Sequence, residues 1–204
     1  MEKFLKLPVE KQNTIIDAAL KSFGTNGYKK TSINDIATAA VISKSMIFHY
    51  FGTKKALYVY LMDLCGNIFM NEVDEKFDNT VTDFFDRIML STNIKISVMR
   101  KHHEILSFLG SMYFESDEEV KEDITANLAK GEKFRSKIAF DGMDTSKFKD
   151  GIDPKLVMKM LVLLGEGYAS KSDFDKFDVD NIYKEFDEYV HLLKSNFYKE
   201  EYLP

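Results

Sequence analysis

Between Thr31 and Lys54 the chain gathers residues suited to gripping a polyanion. Thr31, Ser32 and Ser43 each stand just ahead of a run with helical spacing, where a hydroxyl and the unpaired amides of a helix start can hold phosphate oxygens. Lys54, at the start of a later helix, adds a long cation. Lys44, Ser45, Met46, Phe48 and His49 project outward from a short helix with few inward positions, a poor core element but a shape that fits the major groove. Lys44 suits guanine acceptors, Met46 a thymine methyl, and His49 an acceptor or a phosphate. Each residue also has a plain structural use: the hydroxyls cap helices anywhere, Phe48 and Tyr50 can be core aromatics, and Lys54 can be solvated.

Three helices must position these groups. Apolar residues at Ile15, Ile16, Ala19, Leu20 and Phe23 form one stripe of a helix from about Pro8 to Gly24, and Gly27 marks the break. A second, short helix follows Thr31 or Ser32 and turns Ile33, Ile36, Ala37 and Ala40 inward. A three-residue turn, Ala40 to Ile42, leads to a third from Lys44 to about Tyr50, with Ile47 and Phe51 facing in. Thr53 then starts a long fourth helix to about Phe77.

The net charge of −5 would by itself argue against nucleic acid, but it is unevenly distributed. Residues 1 to 58 hold nine lysines and four acids, a net of +5, which leaves −10 for the rest. A basic end on an acidic body is the asymmetry expected where one end meets phosphates.

The stretch TSINDIATAAVISKSMIFHYFGTKKAL, residues 31 to 57, resembles the DNA-binding signature of the TetR/AcrR family of regulators. The similarity rests on Thr31, Ile36-Ala37, Ala40, Ser43, the aromatic run Phe48-His49-Tyr50-Phe51, Lys54 and Leu57, with IIDAALKSFGTNGY in the place of the family's first helix. It covers about the first 60 residues; the rest is similar only in being helical and of suitable length. The resemblance implies a homodimer that binds pseudo-palindromic double-stranded operator DNA, with repression as the family's usual sign, and it implies a backbone contact for Lys54. Two positions depart from the family. Val41 replaces a turn glycine, so the turn is either shifted or strained. Phe48 replaces a tyrosine, so backbone contact falls to Tyr50, Thr31 and Lys54 instead.

Beyond residue 77 helical periodicity continues to the end, with a loop at Asp141 to Asp153, so the expected fold is all-α with about nine helices. The expected organisation is a helix-turn-helix domain over 1–52, a connecting helix over 53–76, and a larger ligand-binding and dimerisation domain over 77–204. Bulky flexible side chains and polar residues in apolar surroundings, Phe84, Met89, Met99, His102, Phe108, Met112, Tyr113 and Glu166, are candidates to line a pocket for a small, largely apolar effector. Met160, Leu164, Gly167, Tyr168, Phe186, Tyr189, Val190 and Leu193 fit a helical hairpin that pairs with its twofold mate in a four-helix bundle.

Other functions find less support. No Gly-rich phosphate loop, nucleophile-base set or metal-ligand spacing appears, so a helical enzyme is the weaker alternative and no cofactor or metal is expected. His102, His103 and Glu104 are adjacent, about 100° apart on a helix, and cannot converge on one ion. The run SDFDKFDVDN lacks the central glycine and closing glutamate of a calcium loop. A regulator without a small-molecule effector remains a second alternative. The single cysteine, Cys65, reads as a buried hydrophobe; with no secretory segment and no membrane-length apolar run, a cytoplasmic protein is expected.

Overall fold

The computed structural model describes residues 1–171 and 178–203, and the side chains of all of these except 103 and 168–171. Among them are ten α-helices: α1 (Glu2–Leu5), α2 (Val9–Lys30), α3 (Ile33–Ala39), α4 (Lys44–Phe51), α5 (Lys54–Lys76), α6 (Phe84–Lys101), α7 (His103–Tyr113), α8 (Lys121–Phe140), α9 (Pro154–Lys171) and α10 (Val179–Phe197). A single 3-10 turn (Glu200–Tyr202) ends the described chain. No strand forms among the described residues, and an isolated bridge joins Phe148 to Tyr198. No helix among them is long and apolar enough to cross a membrane.

The helices form two compact units. The first comprises Met1–Ile68 and His102–Gly131, and the second Phe69–Lys101 and Glu132–Pro204. These units cut across the expected boundaries, because α7 and the first part of α8 join the N-terminal residues.

The first unit is built on α2. Ile15, Ala19, Leu20 and Phe23 are buried as one stripe, and Phe23, Tyr58 and Phe108 form an aromatic centre with ring centroids 5.0 to 6.4 Å apart. The break falls at Gly27, whose φ of 69° only glycine adopts readily. Gly24 does not end the helix as anticipated. A side chain there would lie 2.7 Å from Ser107 Oγ and 3.0 Å from the Phe108 nitrogen, so glycine is what lets α7 approach α2. The short α1 was not anticipated; it delivers Phe4, fully buried, to Tyr50, Phe51 and Tyr60. Cys65 is buried here as expected, and burial pushes its thiol up to about 12.

The second unit closes over Phe84, Phe85, Ile88, Phe148, Val157, Leu161, Val190 and Tyr198. Asp83, at the start of α6, anchors it. One carboxylate oxygen accepts from Lys147 Nζ at 2.9 Å, and the other from the Asp86 amide at 3.1 Å and the Tyr198 hydroxyl at 3.2 Å. Lys194 Nζ lies 3.4 Å away. Burial alone would raise this carboxyl, but the Lys147 and Asp86 hydrogen bonds and the Lys194 charge hold it below its ordinary 3.8.

Since Asp83 titrates lower folded than unfolded, its contribution is complete above the ordinary carboxylate value and is lost as pH falls through the folded one. Asp83→Asn should destabilise the protein by roughly 2–3 kcal/mol near neutral pH. Urea unfolding followed from about pH 6 down to about pH 3 should fall more steeply for the wild type than for the variant; parallel curves would show that Asp83 does not anchor the unit.

Candidate DNA interface

Ser32 caps α3, its Oγ accepting from the Asn34 amide at 3.1 Å, while Ile33, Ile36 and Ala37 bury the inner side. The chain then turns through Ala40, Val41 and Ile42, closed by the Val41 amide on the Thr38 carbonyl at 3.1 Å and the Ile42 amide on the Ala37 carbonyl at 2.9 Å. Val41 has a φ of 54° and is 87% exposed. The turn is therefore not shifted: a β-branched residue holds the left-handed position, where Cβ crowds the following carbonyl.

From Ser43 at the N-cap, α4 divides cleanly. Ile47, Tyr50 and Phe51 are buried; Lys44, Ser45, Phe48 and His49 are exposed, and Met46 is half-buried. Ser43 makes no capping bond with its side chain. Its Oγ lies 2.9 Å from Ser45 Oγ, so two hydroxyls share one edge at the start of the helix. Lys44 Nζ sits 5.9 Å from the Phe48 ring centre one turn on. Gly52, with a φ of 80°, ends α4, and Thr53 Oγ1 accepts from the Ala56 amide at 3.0 Å to start α5.

Three of the expected contact residues are otherwise occupied. Thr31 is only 4% exposed, and its hydroxyl faces the carbonyls of Ser22 and Gly27 at 2.9 and 2.7 Å. It locks the break in α2, so its assignment to phosphate is withdrawn. Tyr50 has its ring in the core against Phe4 and Phe51, which removes it from the outer face. Lys54 is half-buried, with Nζ 4.5 Å from the Tyr28 ring centre and 3.4 Å from the Lys29 carbonyl. Burial lowers its pKa, opposed by the charges of Glu119, Asp117 and Glu115. It remains a cation beside the start of α5, but a tethered one.

One residue that organises this surface went unread in the sequence. Glu115, just past α7, accepts from the Tyr28 amide at 2.6 Å through one oxygen, and from the Ser116 and Asp117 amides at 2.9 and 3.0 Å through the other. It fixes the chain just after the Gly27 break. The partners lie 87 residues apart, so no local pattern marks them.

Residues 15–61 match the family model of bacterial regulatory proteins, tetR family. The match takes in helices α3 and α4 with the turn between them, so this stretch is similar to the DNA-binding part of tetR-family regulators. It is 22% identical over 147 residues to the fatty acid metabolism regulator protein of Bacillus subtilis (strain 168), covering 72% of this chain and 75% of that one. It is 32% identical over 60 residues to IcaR, the negative transcriptional regulator of the biofilm operon icaADBC of Staphylococcus aureus, which spans only 32% of that protein. In fold it is similar to the regulator FadR from Bacillus subtilis solved in complex with stearoyl-CoA, with a TM-score of 0.70 at 20% identity over 87% of this chain and 96% of that one.

The expected ligand residues divide between the units. His102, Phe108, Met112 and Tyr113 lie in the first, and Phe84, Met89, Met99 and Glu166 in the second. Phe108 and Phe84 are fully buried in aromatic clusters and Met112 is buried, while Met89 packs on the second core. His102 is exposed at the N-cap of α7, Tyr113 is exposed, and Met99 and Glu166 are half-buried. A cavity of about 60 Å3 lined by Asp74, Phe77, Asn79, Arg87, Lys137, Ile138 and Asp141 is water-sized, too small for an effector.

The expected dimer residues also separate. Met160 and Tyr189 are exposed, but Val190 is buried in its own core, and Leu164, Phe186 and Leu193 pack against that core. Gly167 is half-buried, and the side chain of Tyr168 lies outside the described residues. Among the described residues of these helices, the large apolar side chains left exposed are Leu156, Met160 and Leu163 on α9 and Tyr189 and Leu192 on α10. The acidic run at 172–181 lies mostly outside the described residues; Asp178 caps α10, its carboxylate accepting from the Asp180 and Asn181 amides.

Val41→Gly should relieve about 1–2 kcal/mol of backbone strain, less the larger chain entropy that glycine loses on folding. Melting should rise by about 2–4 °C. An unchanged or lower melting temperature would mean that the turn carries no such strain.

Proposed function

We propose that this chain is a homodimeric repressor that holds a pseudo-palindromic operator through the outer face of α4 and releases it when a small, largely apolar effector occupies its second unit. The observation that carries the reading is the two-sidedness of α4: Ile47, Tyr50 and Phe51 are committed to the interior, while Lys44, Ser45, Phe48 and His49 are left to water. A cation, a hydroxyl and an imidazole on an eight-residue helix are what base edges and phosphates ask for. Ser32, Ser43 and Lys54 would set the register on the backbone, and Lys44, Ser45, Met46 and His49 would read sequence.

The reading surface supports a dimer, because one short helix reads few base pairs and a symmetric pair reads two half-sites. The exposed leucines of α9 and α10 support this. Leu192 is 62% exposed and Leu163 56%, alongside Leu156, Met160 and Tyr189, apolar side chains that a second copy would cover. Repression and response to an effector are supported by the relatives: IcaR is a negative regulator, and a structural neighbour was solved with stearoyl-CoA. The effector would act through differential affinity for two states of the protein, and DNA would weaken effector binding by the same factor.

Gel-shift titration with a fragment from upstream of the protein's own gene tests the reading. Binding should weaken steeply with salt, and Lys54→Ala should reduce affinity across sequences and lower the salt slope by about one unit. The pair Leu163→Glu and Leu192→Glu should give a folded monomer with operator affinity reduced about 100-fold or more. A salt-insensitive shift, or full affinity from the monomeric variant, would contradict it.

A further inference from the structure

Three cations enter the seam between α6 and α8 in the second unit, and they are treated differently. Arg87 is almost fully buried and fully accounted for: Nε donates to the Ile138 carbonyl at 2.8 Å, Nη1 donates to the Val81 carbonyl, and the guanidinium lies 4.9 Å from the Phe77 ring centre. Lys95 and Arg135 have no such arrangement. Both are half-buried, and among the described residues neither makes a hydrogen bond or an ion pair.

Their placement is inward by register. Lys95 shares its face of α6 with Ile88, Ser91 and Val98, all buried. Arg135 stands one turn before Ile138 and Ala139 on α8, both buried. Ile94, next to Lys95, and Ile138, one turn after Arg135, belong to one buried cluster, and Phe134, next to Arg135, packs against it. Burial first, and the nearby Arg135 charge second, together lower the Lys95 pKa to about 8. Two half-buried cations that feel each other's charge repel and forgo part of their solvation, a cost that an anion placed between them would offset.

We propose that Lys95 and Arg135 form the anion-binding end of the effector site, holding the carboxylate or phosphate head of an amphiphile. This rests on the reading above that an effector occupies the second unit, and adds to it the chemistry of the ligand: an acidic head on an apolar chain. Arg135 offers a planar fork for two oxygens, and Lys95 a point charge beside it. Arg87 keeps its structural role.

The test is equilibrium binding to the full-length protein of stearate, of stearoyl-CoA and of uncharged methyl stearate, with the melting temperature of each free variant as a check on folding. Stearate or stearoyl-CoA should bind the wild type and lose about 30-fold or more in affinity to the double variant Lys95→Met, Arg135→Met. Methyl stearate should bind both proteins within about twofold, and Lys95→Arg should retain the anion. Preference for stearate assigns the head to a carboxylate, and preference for stearoyl-CoA to phosphates. The double variant should melt no lower than the wild type, since two unneutralised cations have been removed. Equal anion affinity in wild type and double variant overturns the site and leaves effector control standing. The same holds if neither anion binds while an uncharged compound releases the operator. If no compound releases it, effector control fails and takes the site with it.

Discussion

The inner face of α4 is the contact on which the reading surface depends. Ile47 is fully buried, and Tyr50 and Phe51 nearly so, with Phe4 wedged against both rings at centroid distances of 6.1 and 4.7 Å. An eight-residue helix is too short to be stable alone, so this packing holds it and sets its rotation. Once Ile47, Tyr50 and Phe51 are turned inward, 100° per residue turns Ser45 and His49 to the opposite side with Phe48 at its edge, and Lys44 reaches water from the first position of the helix. The exposed chemistry is a consequence of the buried aromatics, and Phe4 from α1 completes the hold.

The first unit also fixes where the reading helices begin. Gly24 admits α7 against α2, Ser111 Oγ donates to the Phe23 carbonyl at 3.0 Å, and Glu115 accepts the Tyr28 amide just after the break at Gly27. Thr31 closes the same break from the other side by bonding to Ser22 and Gly27. Four neighbouring contacts thus set the path by which the chain leaves α2 and enters α3. A residue that resembles a DNA contact by its position in the motif does this work instead, because a hydroxyl in an extended residue after a broken helix finds carbonyls within reach.

What could be read in the sequence was what repeats or caps locally. Helix periodicity located α2 to α10, and the serines and threonines marked the starts of α3, α4 and α5, because each signal lies within one or two turns of what it controls. The missed features all depend on distant partners. Phe4 sits in a four-residue helix with no period to detect, and Glu115 and Asp83 act across 87 and 64 or more residues. The α10 stripe was visible, but its outward edge was not. Val190 and Leu192 differ little in type, and only the packing of Val190 with Phe85 and Leu161 in one core assigns one inside and the other out.

The claim that α4 reads base edges is tested most directly by selecting binding sites from a random duplex pool with the wild type and with Lys44→Ala and His49→Ala. The account predicts a symmetric consensus in which each variant relaxes one or two positions per half-site, at a cost of about 1–3 kcal/mol for the preferred base, and leaves the remaining positions unchanged. An identical consensus from all three proteins, or the loss of every position at once, would contradict it.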